Sequence, residues 1–303
     1  GTPFLIRWVP DVGANGSIPL AILAVALTLS VVAVRRRRRS SPTVVEVMAL
    51  LLALTGAGFE LGLGQIAFML AVPFTAAWWC SRTDRQMAAG AWIGLLCVLK
   101  PFFGVYAVWM LARRQWRSVC AIALSAALAA GAGLLLAGPA ETLQWLSNLG
   151  NVTWTWHVFN ASVFGVASRL FEQQQAAIAT EWTPLVVNPV VAGVAGWAAA
   201  ATVLAALVTG VRRADHDTSF ALLALGALLM SPLGWNYYLP TIFAPVLAAL
   251  DSRRLPPWSL VVALCAVCPY SAIVNRQYGV PGTLLIGQVA FVSVLGLFVL
   301  VMP

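Results

Sequence analysis

The chain has 303 residues, of which 61% are hydrophobic and only 9% are charged, and its mean hydropathy is +0.87. Repeated apolar runs in such a composition exclude a soluble globular protein and predict an all-α, polytopic integral membrane protein. The net charge of +8 does not indicate a nucleic-acid partner, because the basic residues form small clusters between apolar runs.

Arginine-rich loops predict which side of the membrane each turn faces. Short loops enriched in arginine face the cytoplasm. We predict one transmembrane domain over 1–303 with about 8–11 transmembrane or re-entrant helices. In this arrangement every basic cluster lies on the cytoplasmic side. The clusters are Arg35–Arg39, Arg82 with Arg85, Arg113 with Arg114 and Arg117, Arg212 with Arg213, and Arg253 with Arg254.

Residues 1–17 are expected to form an outer loop, and residues 18–137 a first set of membrane helices. Within that set, Met87–Leu99 and Phe102–Leu111 are separated by Lys100 and a proline. A single span here would place the next arginine cluster outside, so we expect a re-entrant pair of half-helices with Lys100 at its tip.

Residues 138–185 are predicted to form an outer interfacial loop, and residues 186–303 a second set of membrane helices. Tryptophans and acids collect in the loop, as is typical of the outer interface. They are Trp145, Trp154, Trp156, Trp182, Glu141, Glu172 and Glu181.

The stretch Ser231–Tyr238 places hydrogen-bonding aromatic residues between two short apolar runs. Each run has about a dozen residues, or roughly 18 Å of helix, against ~30 Å of hydrocarbon. Irregular backbone at such a depth must be buried in protein or line a watery cavity. The stretch is therefore a candidate binding site, formed by Trp235, Asn236, Tyr237 and Tyr238.

Three further residues carry charge at places that suggest chemistry. Lys100 is the only lysine, and an ammonium at membrane depth indicates either a functional site or a lysine that snorkels to the interface. Arg169 lies outside the cytoplasmic clusters near Asn160, where a guanidinium suits a phosphate group. Glu60, beside glycines, is a base, a hydrogen-bond acceptor for a sugar or a solvated loop acid. The five cysteines lack zinc-ligand spacing and no Gly-rich nucleotide loop occurs, so neither a metal nor a cofactor is expected.

Four motifs in order resemble glycosyltransferase family 87, of the membrane-embedded GT-C class, over residues 50–250. They are Gly64-Gln65, the Gly-Leu-Leu-Cys-Val-Leu-Lys-Pro run at 94–101 with the Arg-Arg-x-Trp-Arg loop at 113–117, Asn160-Ala-Ser162 with Arg169, and Ser231-Pro232-Leu-Gly-Trp235.

The resemblance implies an inverting transferase that moves a mannose-like hexose or a pentose from a polyprenyl-phosphate donor to a lipid-linked or cell-envelope glycan acceptor. It also implies a site on the outer face of a bacterial plasma membrane. The substrate-binding residues implied are Gln65, Lys100, Asn160, Arg169, Trp235, Asn236, Tyr237 and Tyr238.

The chain departs from the family pattern at the residue that acts as the general base. The family carries an acidic base in its first outer loop, in an Asp-x-x-x-Tyr setting, and Asp11 in Val-Pro-Asp-Val-Gly does not match it. Either the N-terminal part that bears the base is missing, or another acid such as Glu60 serves. Some relatives also carry His after the tryptophan of the Ser-Pro motif, where Asn236 stands here. A lipid or solute transporter and an inactive fragment are the alternative interpretations.

Overall fold

A computed structural model of the chain describes residues 67–149, 154–173, 182–251, 253, 255–266, 273 and 277–303. These residues are predominantly helical and contain no β-strand, which confirms the predicted all-α class. The expected outer loop at 1–17, the first crossing segment, Glu60 and Gln65 lie outside the described residues.

The described residues divide into two compact units. The first contains α1 (Ala71–Arg82), α2 (Gln86–Leu99), α3 (Val105–Ala112), α4 (Trp116–Ala137) and α5 (Pro139–Leu149), with 3-10 turns at Ala67–Leu70 and Pro101–Gly104, and Pro240–Pro245 joins them.

The described part of the second unit contains six complete helices, which lie on either side of a hairpin tip in the sequence. They are α6 (Val163–Phe171), α7 (Pro189–Arg213), α8 (His216–Met230), α10 (Ser259–Ala266), α11 (Val280–Leu285) and α12 (Val289–Val301). A 3-10 segment, Asn236–Ile242, leads into α9 (Phe243–Leu250), most of which also belongs to this unit. The single transmembrane domain over 1–303 stays a prediction.

In the first unit, the helix breaks where the sequence predicts it. Helix α2 ends at Leu99, Lys100 has an extended backbone (φ −145°, ψ 100°), and Pro101 opens the 3-10 turn. A proline ring disfavours helical geometry in the residue before it and supplies no amide hydrogen, so the helix ends there.

Helices α2 and α4 run parallel, which confirms that the chain turns back between them. A Cβ on Gly90 would meet the carbonyl oxygen of Ser118, and one on Gly94 would meet that of Ile122. From the first contact to the second, the contacting position moves forward in sequence by the same number of residues on each helix. The two helices therefore run in the same direction and begin at the same end. The loops before α2 and before α4 therefore share an end of this unit, which we call the arginine end of the first unit.

Helices α7 and α8 of the second unit are antiparallel. Gly226 lies against Leu207, and Gly210 lies against Leu222, so the contacts run in opposite directions along the two helices. Met302, just after α12, also packs on Gly210. The start of α8 and the ends of α7 and α12 thus share one end of the unit.

The same end holds the basic residues of the second unit. Arg212 and Arg213 end α7, and Arg253 donates hydrogen bonds to the carbonyl oxygens of Leu300 and Met302 at the C-terminus of α12. A cation there compensates the partial negative charge of the helix end. This is the arginine end of the second unit.

The turn between α7 and α8 is short, because α7 continues to Arg213 and α8 begins at His216. The reason is an N-cap: the Asp215 carboxylate accepts the backbone N–H of Thr218 at 2.8 Å. Such a cap accepts a hydrogen bond from a backbone N–H of the first turn, which stabilises the start of the helix at this position.

Three helical segments among the described residues are long and apolar enough to cross a membrane. Their lengths of 22, 25 and 22 residues match a hydrocarbon layer of ~30 Å. Much of their surface is exposed leucine, valine and tryptophan, which suits contact with lipid. They are Trp116–Ala137, Pro189–Arg213 and Val280–Val301.

Candidate functional site

The hairpin tip at 231–238 is bonded to the segment at 154–162 within the second unit. Asn160 and Trp235 form an isolated antiparallel bridge. The amide of Ala161 donates to the carbonyl of Gly234 at 2.7 Å, and the amide of Asn236 donates to the carbonyl of Phe159 at 2.8 Å. The predicted tip and the predicted loop around Arg169 are therefore brought together by backbone hydrogen bonds.

The side chain of Asn160 is fully buried and uses all of its hydrogen-bonding capacity inside the protein. Its Nδ2 donates to the carbonyls of Thr155 (2.9 Å) and Pro232 (2.8 Å). Its Oδ1 accepts the backbone N–H groups of Ser162 and Gly234, both at 3.1 Å. An amide offers two donors and two lone pairs. Asn160 therefore holds the two segments in register and leaves no side-chain group for a ligand.

Helix α6 begins beside this joint. The Ser162 hydroxyl accepts the amide of Gly165 at 3.1 Å as an N-cap. A Cβ on Gly165 would lie 2.7 Å from the carbonyl oxygen of Asn160, so only glycine lets the helix approach so closely. The position of α6 thus depends on the Asn-Ala-Ser motif.

Arg169 projects from α6 back to the same segment and is completely buried. Its guanidinium donates to the carbonyls of His157 (2.9 Å) and Asn160 (3.1 Å), and to the side-chain oxygen of Gln288 (3.1 Å). These acceptors are neutral protein oxygens. Arg169 therefore clamps α6, the 154–162 segment and the start of α12 together, and its predicted direct contact with a phosphate stays a prediction.

Sequence reasoning missed Gln288. Its side-chain nitrogen donates to the carbonyl of Thr283 at 2.9 Å while its oxygen accepts from Arg169. The available signal was a lone amide inside the apolar run Thr283–Val301, since polar residues within membrane segments usually have a partner or a function.

His157 lies in an aromatic cluster on the same segment. Its ring stacks on Phe159 (4.7 Å between centroids) and Trp154 (6.2 Å), and it meets Trp235 edge-on at 5.9 Å. Burial, with a smaller contribution from the nearby Arg169 cation, lowers the pKa of His157 to about 4. The imidazole is therefore neutral at physiological pH.

Trp235 and Tyr237 form a parallel stack at 5.6 Å, with their ring planes 11° apart. Tyr237 and Tyr238 are buried, and Trp235 is half-buried. One face of the indole is thus covered by Tyr237. The substrate contacts predicted for these aromatic residues stay predictions, and the remaining part of Trp235 is the part of the stack that stays accessible.

Asn236, the next residue of the tip, has a side-chain oxygen that is buried and has no hydrogen-bond partner among the described residues. An unsatisfied buried acceptor costs about 1–3 kcal/mol unless a water, an ion or a hydroxyl group of a ligand satisfies it.

Trp182, in the predicted outer interfacial loop, packs inside the protein. It is only 2% exposed and stacks on Tyr278 at 4.8 Å. The backbone holds this stack in place, because Thr183 donates its amide (3.1 Å) and its hydroxyl (2.8 Å) to the Tyr278 carbonyl.

The tip lies at the end of the second unit opposite its arginine end. Helix α8 begins at the arginine end and runs 15 residues, roughly 22 Å, to Met230, directly before the tip. Gln288, which binds Arg169, likewise precedes the start of α12, whose other end packs on Gly210. We call this end, which carries the 231–238 tip and the 154–162 segment, the tip end.

Lys100, in the first unit, is partly buried and lies beyond the C-terminus of α2. Because α2 begins at the arginine end of that unit and spans roughly 20 Å, Lys100 lies far from that end, as the re-entrant prediction requires.

Comparisons with known proteins agree with this architecture. The family model of glycosyltransferase family 87 matches residues 3–232. Neither a curated protein nor a solved structure matches the chain significantly. The family match covers most of the chain, including the Lys-Pro break, the Asn-Ala-Ser motif with Arg169 and the start of the tip. The protein is therefore an integral membrane glycosyltransferase and belongs to glycosyltransferase family 87.

Proposed function

We propose that the protein transfers a mannose-like hexose or a pentose from a polyprenyl-phosphate donor to a lipid-linked or cell-envelope glycan acceptor. The observation that supports this proposal is the tip end of the second unit. A buried, unsatisfied acceptor on Asn236 stands there beside the partly exposed Trp235. A carbohydrate supplies both the hydroxyl groups and the apolar ring face that such a pair binds.

The two roles of the tip residues follow from their packing. Asn236 accepts a hydroxyl of the sugar or of the acceptor, and the exposed part of Trp235 contacts the ring. Tyr237 stacks on Trp235 and Tyr238 meets Tyr237 at 5.1 Å, so both tyrosines hold the indole in place. Asn160 and Arg169 hold the tip and the 154–162 segment in position through their hydrogen bonds.

In the first unit, we propose Lys100 as the cation that contacts the donor phosphate. The leaving group of the reaction is a phosphate, and a cation that meets the charge developing there lowers the barrier. A backbone break at Lys100 removes the regular helix and allows a polar head group to approach. Gln65 is proposed as a further substrate contact and Glu60 as an alternative base.

We also propose inversion at the sugar carbon and a location in a bacterial plasma membrane with the site on the outer side. The arginine residues at the opposite end of each unit support this orientation, since arginine-rich loops face the cytoplasm. A direct displacement with one acceptor hydroxyl inverts the anomeric centre.

The donor class is tested with membranes from cells that produce the protein. Radiolabelled polyprenyl-phosphate mannose and polyprenyl-phosphate arabinofuranose are supplied separately, and the glycolipid and glycan fractions are counted. We expect transfer from one of them, with the anomeric configuration of the product inverted by NMR. A protein that is inactive with every polyprenyl-phosphate sugar, but active with a nucleotide sugar, contradicts the proposed donor.

The residue roles are tested by matched substitutions. Lys100→Ala is expected to lower kcat about 100-fold or more, whereas Arg117→Ala removes the same charge at the arginine end and leaves activity unchanged. Asn236→Ala is expected to raise the KM of the sugar-bearing substrate about tenfold, with the exposed Asn148→Ala as control. Full activity of Lys100→Ala excludes its phosphate role.

A further inference from the structure

Helix α5 begins where helix α4 has finished crossing the membrane. The 22 residues of α4 span roughly 33 Å, which matches a hydrocarbon layer of ~30 Å. Gly138 then has φ +86° and ψ 165°, a backbone conformation that favours glycine and ends the helix. Pro139 opens α5 and supplies no amide hydrogen, so the hydrogen bonding of α4 cannot continue through it. Helix α5 therefore starts at the membrane boundary with its own direction.

The side chains of α5 separate into an apolar and a polar face. At about 100° per residue, Leu143, Trp145 and Leu146 fall within one arc of about 160°. We call this arc the apolar face of α5. The polar side chains occupy the remaining arc, which we call the polar face. They are Glu141, Gln144, Ser147 and Asn148.

The apolar face of α5 is not covered by the protein. Leu143 is 66% exposed, Leu146 is 51% exposed and Trp145 is 45% exposed. Among the α5 side chains that the structure describes, none is buried. Three large apolar side chains on one face of a helix gain free energy when they leave water, so this face is suited to an apolar cover.

The lipid that surrounds α4 extends to the start of α5. The last turn of α4 carries Leu134, Leu135 and Leu136, which are 44%, 87% and 78% exposed on a helix that crosses the membrane. Gly138 follows them two residues later, so the apolar face of α5 continues a surface that already contacts acyl chains. Tryptophan is enriched at this depth, because its ring is apolar and its N–H is polar.

The charge of α5 excludes electrostatic attraction to anionic lipid as the cause of binding. The helix contains no lysine or arginine, and its one charged residue, Glu141, lies on the polar face. Helices that bind anionic membranes through charge are rich in lysine and arginine on that face. Any contact between α5 and the bilayer therefore depends on burial of the apolar face.

We propose that α5 lies in the plane of the membrane interface at the end of α4 opposite the arginine end. Its apolar face enters the boundary between head groups and acyl chains, and its polar face remains in water. The partner is the surface of the phospholipid bilayer, with no preference for head-group charge. This docking surface belongs to the first unit and is independent of the sugar donor that the protein uses.

The test uses the full chain without native cysteines, reconstituted into phosphatidylcholine vesicles. A nitroxide spin label is attached to one introduced cysteine at a time, through Leu143→Cys or Leu146→Cys on the apolar face and Gln144→Cys or Asn148→Cys on the polar face. Power saturation compares collisions with molecular oxygen, which concentrates in lipid, and with a water-soluble nickel chelate. We expect the ratio of oxygen to nickel accessibility to be several-fold higher on the apolar face.

A matched pair of charges tests whether burial of the apolar face causes this difference. Leu146→Asp and Gln144→Asp place the same charge on opposite faces of α5, and each is combined with the label at position 143. Leu146→Asp is expected to raise nickel accessibility several-fold, because a carboxylate resists transfer into lipid. Gln144→Asp is expected to leave it unchanged. Both sites are exposed, so the fold tolerates either substitution.

Three results would overturn the proposal. Equal nickel accessibility on both faces would place α5 in water. Apolar-face labels that neither probe reaches would show that protein covers the face, and spin–spin distances between labelled copies would then identify a second copy of the chain. A difference between the faces that appears only when the vesicles contain phosphatidylglycerol would assign the contact to charge instead of apolar burial.

Discussion

The side-chain oxygen of Asn160 accepts the backbone N–H of Gly234 at 3.1 Å, across 74 residues of sequence. The same amide group also donates to the carbonyl of Pro232, so one side chain satisfies two backbone groups of the tip. The tip is irregular backbone, and a buried side chain provides the hydrogen bonds that a helix would otherwise supply.

Asn160→Ala is therefore expected to destabilise the protein by on the order of 3 kcal/mol, because it leaves several buried backbone groups unpaired. Asn160→Asp keeps both acceptors and loses both donors, so it too is expected to destabilise. Thermal unfolding in detergent micelles measures the effect, with Asn148→Ala on the exposed face of α5 as control. An Asn160→Ala variant that melts with its control contradicts the assigned role.

Glycine is expected to be essential at position 234 and replaceable at position 193. A Cβ on Gly234 would collide with the carbonyl oxygen of Leu228, whereas a Cβ on Gly193 meets nothing within 4 Å. Gly234→Ala should abolish transfer and lower the melting temperature, since rigid backbone must move. Gly193→Ala should stabilise helix α7 by up to about 1 kcal/mol, the usual preference of a helix interior for alanine. Equal melting temperatures for the two variants would refute this packing.

The parallel arrangement of α2 and α4 predicts the accessibility of their loops. In a variant without native cysteines, Cys introduced at Thr83 and at Gln115 should react with a membrane-impermeant thiol reagent from the same side of the membrane, the cytoplasmic one. Cys introduced at Glu141, beyond the far end of α4, should react from the opposite side. Labelling of the Thr83 and Gln115 sites from different sides would show that 86–112 crosses the membrane once.

His157 predicts an acid-dependent loss of stability. Its pKa is about 4 in the folded protein, against 6.5 for the ordinary side chain, so below pH 6.5 the unfolded state takes up a proton that the folded state does not. Stability is therefore complete above pH 6.5, falls as the pH drops toward 4 by roughly 3 kcal/mol, and levels off below that value.

The measurement is the melting temperature as a function of pH in a single detergent. His157→Gln should remove most of the slope between pH 6.5 and 4, because glutamine does not titrate. His216→Gln, at the arginine end of the second unit, should keep it. A slope that survives in His157→Gln would assign the acid sensitivity to other groups.

Several features follow from the sequence alone because they depend on local chemistry. The apolar runs predict the helices, the proline after Lys100 predicts the break of α2, and the arginine clusters predict which helix ends belong together. Hydropathy, proline geometry and the charge rule act over a few residues or on the membrane as a whole. The order of the motifs also identifies the family, which the match to residues 3–232 confirms.

The tertiary structure alone decides which polar groups remain available to a ligand. Arg169 looks like a phosphate ligand in the sequence, yet its guanidinium is enclosed and donates to Gln288, 119 residues away. Asn160 is likewise used up by internal hydrogen bonds, whereas the side-chain oxygen of Asn236 has no hydrogen-bond partner among the described residues. Such partners are brought together by packing between distant segments, and a buried polar group must be paired wherever the fold places it. Residue type and spacing along the sequence therefore do not predict that pairing.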